Sequence, residues 1–172
     1  MASDIIDLAD LPEYVPLLAG WFMQEWGAYY RDRAPGDAEE TFRRRLSVDT
    51  IPLALVALER GKPVGTVSLT DVSVPTHMHL GPWIGGLYVA PESRHHGLGM
   101  ELVSAALRRA RSLGVARIYI AVGSAVDRYR EHGWEILESA DVDGQEVTVL
   151  SFDLAAARTA PKAGDAAHTG MP

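Results

Sequence analysis

The chain contains no cysteine. That excludes a disulfide scaffold, a thiolate zinc site and a cysteine nucleophile together, and it fits a reducing compartment. No apolar run approaches the roughly 18 residues needed to span a bilayer. The opening MASDIIDLAD is acidic and lacks the basic and apolar regions of a signal peptide, so a cytoplasmic protein with no membrane partner is expected. An excess of positive charge is missing too: 23 acidic residues against 16 basic ones leave a formal net charge of −7. A chain of that sign disfavours nucleic acid and weakly favours cationic small molecules or basic partners.

What is present suits one globular domain. At 172 residues with 47% hydrophobic content, such a chain buries about two-thirds of its unfolded surface and builds a core unaided. A short strand is predicted over Asp4 to Ala9. Apolar residues at helical spacing from Leu11 to Trp26 predict a helix entered through Pro12. Arg31 to Asp37 reads as a loop, and Asp37 with Glu40 forms a capping-box-like start for a second helix through about Leu46. Ile51 to Glu59 and Val64 to Val72 predict an antiparallel hairpin around Arg60-Gly61-Lys62-Pro63. Trp83 to Val89 reads as a buried strand in which Gly85-Gly86 marks a bulge or a close backbone approach.

From Gly97 to Leu113 the apolar residues line one helical face, and Gly114 is a natural C′ residue. Val115 to Val122 then completes a parallel strand–helix–strand unit with a right-handed crossover. A short helix over Ser124 to His132 and strands at Trp134 to Leu137 and Gln145 to Leu154 finish the domain, with a turn at Asp143-Gly144. The class is therefore α+β: a mixed, mostly antiparallel central sheet with a parallel βαβ unit and helices on both faces. The domain covers 1–154, and the small, polar, aperiodic remainder, 155–172, reads as a disordered tail.

The segment Arg94-His95-His96-Gly97-Leu98-Gly99 lies between the buried strand and the long helix. In that setting the backbone N–H groups of the first helical turn and the helix dipole favour an anion, and glycine lets a phosphate come close. A Walker loop would need Gly-Lys-Ser/Thr, whereas Met100-Glu101 follows Gly99. A Rossmann fingerprint would need a third glycine near the first strand of the fold. The alternative is that the glycines only permit tight packing at the helix start.

The stretch from Trp83 to Trp134 resembles the core of the GNAT superfamily of N-acetyltransferases. That family opens a long helix with Arg/Gln-x-x-Gly-x-Gly/Ala, here Arg94 to Gly99. Farther along it carries aromatic-Tyr-x-x-x-Gly-aromatic, here Arg128-Tyr129-Arg130-Glu131-His132-Gly133-Trp134. The chain departs from the pattern at His95 and Arg128, and it lacks the asparagine that many relatives place before the last helix. The resemblance implies acetyl-CoA as cosubstrate, with Arg94, His95, His96, Gly97, Leu98, Gly99 and Met100 around its pyrophosphate. Leu87, Tyr88 and Val89 would splay from the neighbouring strand to pair with the pantetheine, and Tyr129 would be the general acid toward the leaving sulfur.

On the acceptor side, Trp21, Glu25, Trp26, Tyr29 and Tyr30 form an aromatic and acidic set suited to a cationic amine. Glu25, Trp26, Tyr29 and His79 are the substrate candidates, although an aromatic stripe at this spacing also reads as core. Glu25, His77 and His79 are candidate bases. His77-x-His79 has no third ligand in view, so no metal is expected. Arg43-Arg44-Arg45 reads as a solvated helix face, with a contact to the CoA 3′-phosphate as its alternative. The activity implied is acetylation of a primary amine of a small molecule. Acetylation of a protein N-terminus or lysine, and a CoA-binding sensor without turnover, are the alternatives. A homodimer is common among relatives, but no residue here points to one.

Overall fold

Residues 53–58, Leu-Ala-Leu-Val-Ala-Leu, are apolar throughout, and such a strand must be covered on both faces. The computed structural model, which describes residues 3–32, 36–156 and 170–172, shows what covers it. Seven strands form one sheet: β1 (Asp4–Asp7), β2 (Leu53–Glu59), β3 (Lys62–Thr70), β4 (Trp83–Val89), β5 (Arg117–Val122), β6 (Glu135–Val142) and β7 (Gln145–Asp153). Their order is β1-β2-β3-β4-β5-β7-β6, and only the β4–β5 pair is parallel. The helices are α1 (Val15–Asp32), α2 (Ala38–Arg43), α3 (Leu98–Ser112) and α4 (Val126–Glu131). The expected α+β class, with its mixed sheet and parallel βαβ unit, is the one that forms.

Strand alternation sorts the core into layers. Leu53, Leu55 and Ala57 pack with Leu102, Val103, Ala106 and Ala110 of α3, while Ala54 and Val56 pack with Leu18, Phe22 and Phe42 of α1 and α2. A third cluster collects Trp83, Ala121, Val142, Val147 and Val149 with Val74 and Met171. Arg109 of α3 ties its layer to β1 by a bidentate pair with Asp7, at 2.5 and 2.9 Å. Among the described residues no helix is long and apolar enough to cross a membrane.

Several boundaries differ from expectation. Pro12–Tyr14 is a 3-10 turn, so α1 starts at Val15, and it continues through Arg31 and Asp32. Asp37 does cap α2, its side chain accepting from Glu40 N–H at 2.7 Å, but α2 ends at Arg43. The first hairpin turns on Arg60-Gly61 alone, both at positive φ, and Lys62 and Pro63 join β3. Pro63 is tolerated there because the register shifts beside it, at Ala57/Leu58. Asp143-Gly144 turns the last hairpin in the same way. Strand β6 runs well past Leu137, because its continuation Glu138-Ser139-Ala140-Asp141 is polar edge strand with little periodic signal. Of the expected tail, Ala155 and Ala156 are held by the Asp153 carboxylate and residues 170–172 lie against the sheet. Residues 157–169 lie outside the described residues.

Candidate active site

Strand β4 is paired with β5 at only two positions, Trp83↔Tyr119 and Ile84↔Ile120. The reason lies in the next two residues. Register with β3 slips between Ser68↔Gly85 and Thr66↔Tyr88, placing a bulge at Gly86, whose φ is +57°. A Cβ at Gly86 would stand 2.7 Å from Phe22 Cζ, so the bulge requires glycine for both conformation and space. Beyond it, Leu87–Val89 keeps β3 on one edge and diverges from β5 on the other. An extended segment of the chain itself enters this gap. Gly86 N–H donates to Met171 O at 3.4 Å, and Gly170 N–H donates to Ala121 O at 3.1 Å. Both walls thus present backbone groups that can pair with an extended, amide-bearing molecule.

At the far end of β4 the chain turns into α3. Gly97, at φ +86°, is the N-cap residue and no side chain caps the helix. The first ladder bond runs from Glu101 N–H to Gly97 O, which leaves the N–H groups of Leu98, Gly99 and Met100 ahead of the ladder. A 15-residue helix adds its dipole to those donors. Arg94 braces this turn: its Nε donates to Val89 O at 2.9 Å, and its guanidinium lies 5.6 Å from the centre of the Tyr88 ring. His95 takes a left-handed φ of +65°, and both His95 and His96 are exposed. Burial pushes the Tyr88 phenol above its usual range, opposed by Arg94 and reinforced by Glu25 and Glu92.

Across the gap, α4 carries Tyr129, which is fully buried with its ring edge-on to Trp134 at 6.0 Å. Desolvation holds its proton more tightly than an ordinary phenol does. On the α1–α2 face a cavity of about 260 Å³ lies beside the bulge, lined by Tyr29, Tyr30, Arg45, Thr70 and Ser73, with Met171 and Pro172 as one wall. Two distances connect it to β4. The Cβ position at Gly86 is 3.1 Å from Arg45 Nη1, and that at Gly85 is 3.4 Å from Thr70 Oγ1.

Residues 16–134 match the sequence model of the Acetyltransferase (GNAT) family, well over half of the chain. The chain belongs to the GNAT acetyltransferase family. Among solved structures it is similar to an aminoglycoside 6′-acetyltransferase type Ii, at 16% identity and a TM-score of 0.67, covering 90% of this chain and 97% of that one. An acyl-CoA N-acyltransferase from Pseudomonas aeruginosa gives 18% identity and a TM-score of 0.60, with 88% and 99% covered. N-acetylglutamate synthase from Neisseria gonorrhoeae, complexed with coenzyme A and N-acetyl-glutamate, gives 16% and 0.61, with 90% and 35% covered. Likeness at this identity establishes the fold. No curated protein matches the sequence. GNAT membership makes the chemistry that of an acyltransferase.

Within this GNAT fold the anticipated cofactor residues occupy two adjoining places, Leu87–Val89 along the gap and Arg94 to Met100 around the start of α3. The acceptor candidates do not stay together. Tyr29 lines the cavity, but Trp26 packs edge-on against Phe22 at 4.8 Å, beside a kink in α1, and Glu25 is exposed. His79 is exposed and stacks on His77, which is held by Glu138 at 3.1 Å and by the Thr76 hydroxyl at 2.8 Å. No group of three or more His, Asp or Glu among the described residues is arranged to hold a metal.

One expectation is corrected. Arg43 and Arg44 are exposed and paired with Glu39 and Glu40, but Arg45 is buried, only 7% exposed. A signal for this existed. Ala38, Phe42 and Arg45 follow at i, i+4 and i+7, so Arg45 carries the buried side of α2 on into the turn that follows it.

Proposed function

We propose that this protein transfers acetyl from acetyl-CoA to a primary amine of a small molecule. The observation that carries the reading is the adjacency of three features at β4: a gap able to pair with an extended amide chain, a helix start able to hold phosphate, and a small cavity beside the bulge between them. A cavity of about 260 Å³ suits a small amine better than a segment of folded protein.

The thioester supplies an activated acyl carbon. The remaining work belongs to the chain. Backbone N–H groups of Leu98, Gly99 and Met100 hold the pyrophosphate, and the β4 edge at Leu87–Val89 aligns the pantetheine. An amide of the same strand polarises the acetyl oxygen, an oxyanion-type contribution. Tyr129 offers its phenolic O–H to the departing sulfur. Because burial raises its pKa, Tyr129 acts mainly as a hydrogen-bond donor that steadies negative charge on sulfur, not as a group that ionises fully. The attacking nitrogen loses one proton as the amide forms and the sulfur gains one, so the transfer balances without an outside proton. Glu25, close enough to act on the Tyr88 phenol, is the candidate among the three proposed bases that stands nearest this region.

The test is release of free CoA thiol with a panel of primary amines. Turnover should depend on the amine, and Tyr129→Phe should lower kcat by roughly tenfold to a hundredfold with acetyl-CoA affinity little changed. Tight CoA binding without amine-dependent thiol release would instead identify a sensor module.

A further inference from the structure

The acceptor cavity carries a buried positive charge that no acid among the described residues pairs with, Asp71 lying exposed elsewhere in its lining. Arg45 reaches it from the turn after α2, beside the packed pair Phe22 and Phe42, with its guanidinium 5.8 Å from each ring centre. It is 7% exposed, and its side chain makes one hydrogen bond, from Nη1 to the neutral Ser68 hydroxyl at 3.0 Å. A guanidinium has five N–H donors in a fixed fork suited to a carboxylate. No acid among the described residues lies within ion-pair distance of it. The neighbours that act on its charge are the phenols of Tyr30 and Tyr29. A buried cation without an anion is costly to keep, so the site is built for a charge that arrives from outside.

The lining also holds Arg44, paired with Glu40, and the exposed acid Asp71, but its buried polar groups are hydroxyls. The hydroxyls of Thr70 and Ser73 are buried with no hydrogen-bond partner among the described residues, and the buried Tyr30 hydroxyl has Thr41 as its side-chain neighbour. The Thr41 hydroxyl donates to Asp37 O at 3.1 Å, so toward Tyr30 it can only accept. All three hydroxyls belong to residues lining the cavity with Arg45. A polycationic acceptor would meet Arg45 with like charge. An acceptor bearing a carboxylate would satisfy the fork and use the spare hydroxyls. We infer that the substrate amine carries a carboxylate, as an amino acid does, and that Arg45 binds this group while the amine points to the bulge of β4.

This inference rests on the acetyl-transfer reading and is tested so that the two can fail separately. Matched pairs would be offered with saturating acetyl-CoA: phenylalanine against phenethylamine, alanine against ethylamine, methionine against 3-(methylthio)propylamine. For at least one pair the carboxylate-bearing member should show a kcat/KM at least about tenfold higher, the effect of one lost interaction of about 1.4 kcal/mol. Arg45→Met should raise KM for that member by about the same factor and lower the rate with its plain amine by clearly less, so that the preference within the pair narrows. Arg45→Lys should recover part of the loss. Equal or better use of the plain amines by the wild-type protein in every pair would overturn the inference, and needs no variant to fold. An equal loss on both members in Arg45→Met would also overturn it, since Arg45 would then only brace the bulge. Thermal-shift titration with N-acetylphenylalanine, N-acetylalanine and N-acetylmethionine reads the carboxylate site without turnover. Stabilisation by one of these that disappears in Arg45→Met, in a protein that acetylates no amine, would support the carboxylate site and remove the acetyl-transfer reading.

Discussion

Gly86 carries two constraints at once. Its φ of +57° is a region that L side chains enter at a cost, and its missing Cβ makes room for the Phe22 ring 2.7 Å away. Gly86→Ala should therefore destabilise the protein by about 2–4 kcal/mol, the sum of left-handed strain and overpacking. Gly20, on the exposed side of α1 with no atom within 4 Å of its Cβ position, is the contrast. Gly20→Ala should be neutral or stabilising by up to about 1 kcal/mol. Thermal or urea melts of the two variants check both signs. A Gly86→Ala protein as stable as wild type would mean that the bulge can relax by moving Phe22. The same scale explains why Arg45 matters more than its neighbours: three consecutive arginines have identical chemistry, but Arg43 and Arg44 are exposed and held by Glu39 and Glu40, and Arg45 is buried at the cavity with no acid paired to it.

Among the elements, α3 is the one whose start does chemical work. Its first three N–H groups are left without side-chain caps, which is unusual for a helix unless a ligand or solvent serves them. Gly97→Val places a β-branched residue at φ +86°, a strain of about 1–3 kcal/mol that must be relieved by moving the turn. Acetyl-CoA affinity should fall at least about tenfold, since 1.4 kcal/mol corresponds to one decade in Kd. The circular dichroism spectrum should keep its helical content, because the helix body is anchored by Leu102, Val103, Ala106 and Ala110 in the core. Isothermal titration with acetyl-CoA measures the effect, and unchanged affinity would separate the turn from phosphate binding. Arg94, by contrast, acts through geometry. Its bond to Val89 O joins the turn to β4 and so keeps the two halves of the cofactor path in register.

Taken as a whole, the molecule has an alkaline limit that its buried phenols set. Tyr129, Tyr30 and Tyr88 all have their pKa raised, with burial the largest cause in each. In the unfolded chain they ionise near the ordinary value of about 10, while the folded state still holds the protons. Their contribution is thus complete below pH 10 and is lost as pH rises beyond it. Arg45 works in the opposite sense. Its pKa is pushed down to about 10 from 12.5 by burial, so between those values the unfolded chain holds a proton that the folded one releases, and this group adds stability as pH rises. Three raised phenols outweigh one lowered guanidinium. Melting temperature should decline from pH 10 to 11, each uncompensated proton being worth up to about 1.4 kcal/mol per pH unit. Tyr129→Phe should make that decline shallower, measured relative to its own value at pH 8. A steeper decline would assign the alkaline loss to other groups.

The sequence by itself determined the class of fold and the place of the phosphate turn, because both are written in local order. Period-two and period-3.6 patterns fix strands and helices, Asp-Gly and Arg-Gly fix tight hairpins, and a glycine pair after a buried strand fixes a helix start with open N–H groups. Gly85-Gly86 likewise announced the bulge. The tertiary structure decided what those elements enclose. Pairing that stops at Ile84↔Ile120 opens the gap, and only the packing of α1 and α2 on one face brings Arg45, Tyr30, Thr70 and Ser73 to a common cavity beside it. Those four residues come from three separate stretches of chain and share no periodic signature. Cofactor recognition here depends largely on backbone geometry, which local sequence controls. Acceptor recognition depends on side chains meeting across the fold, which it does not.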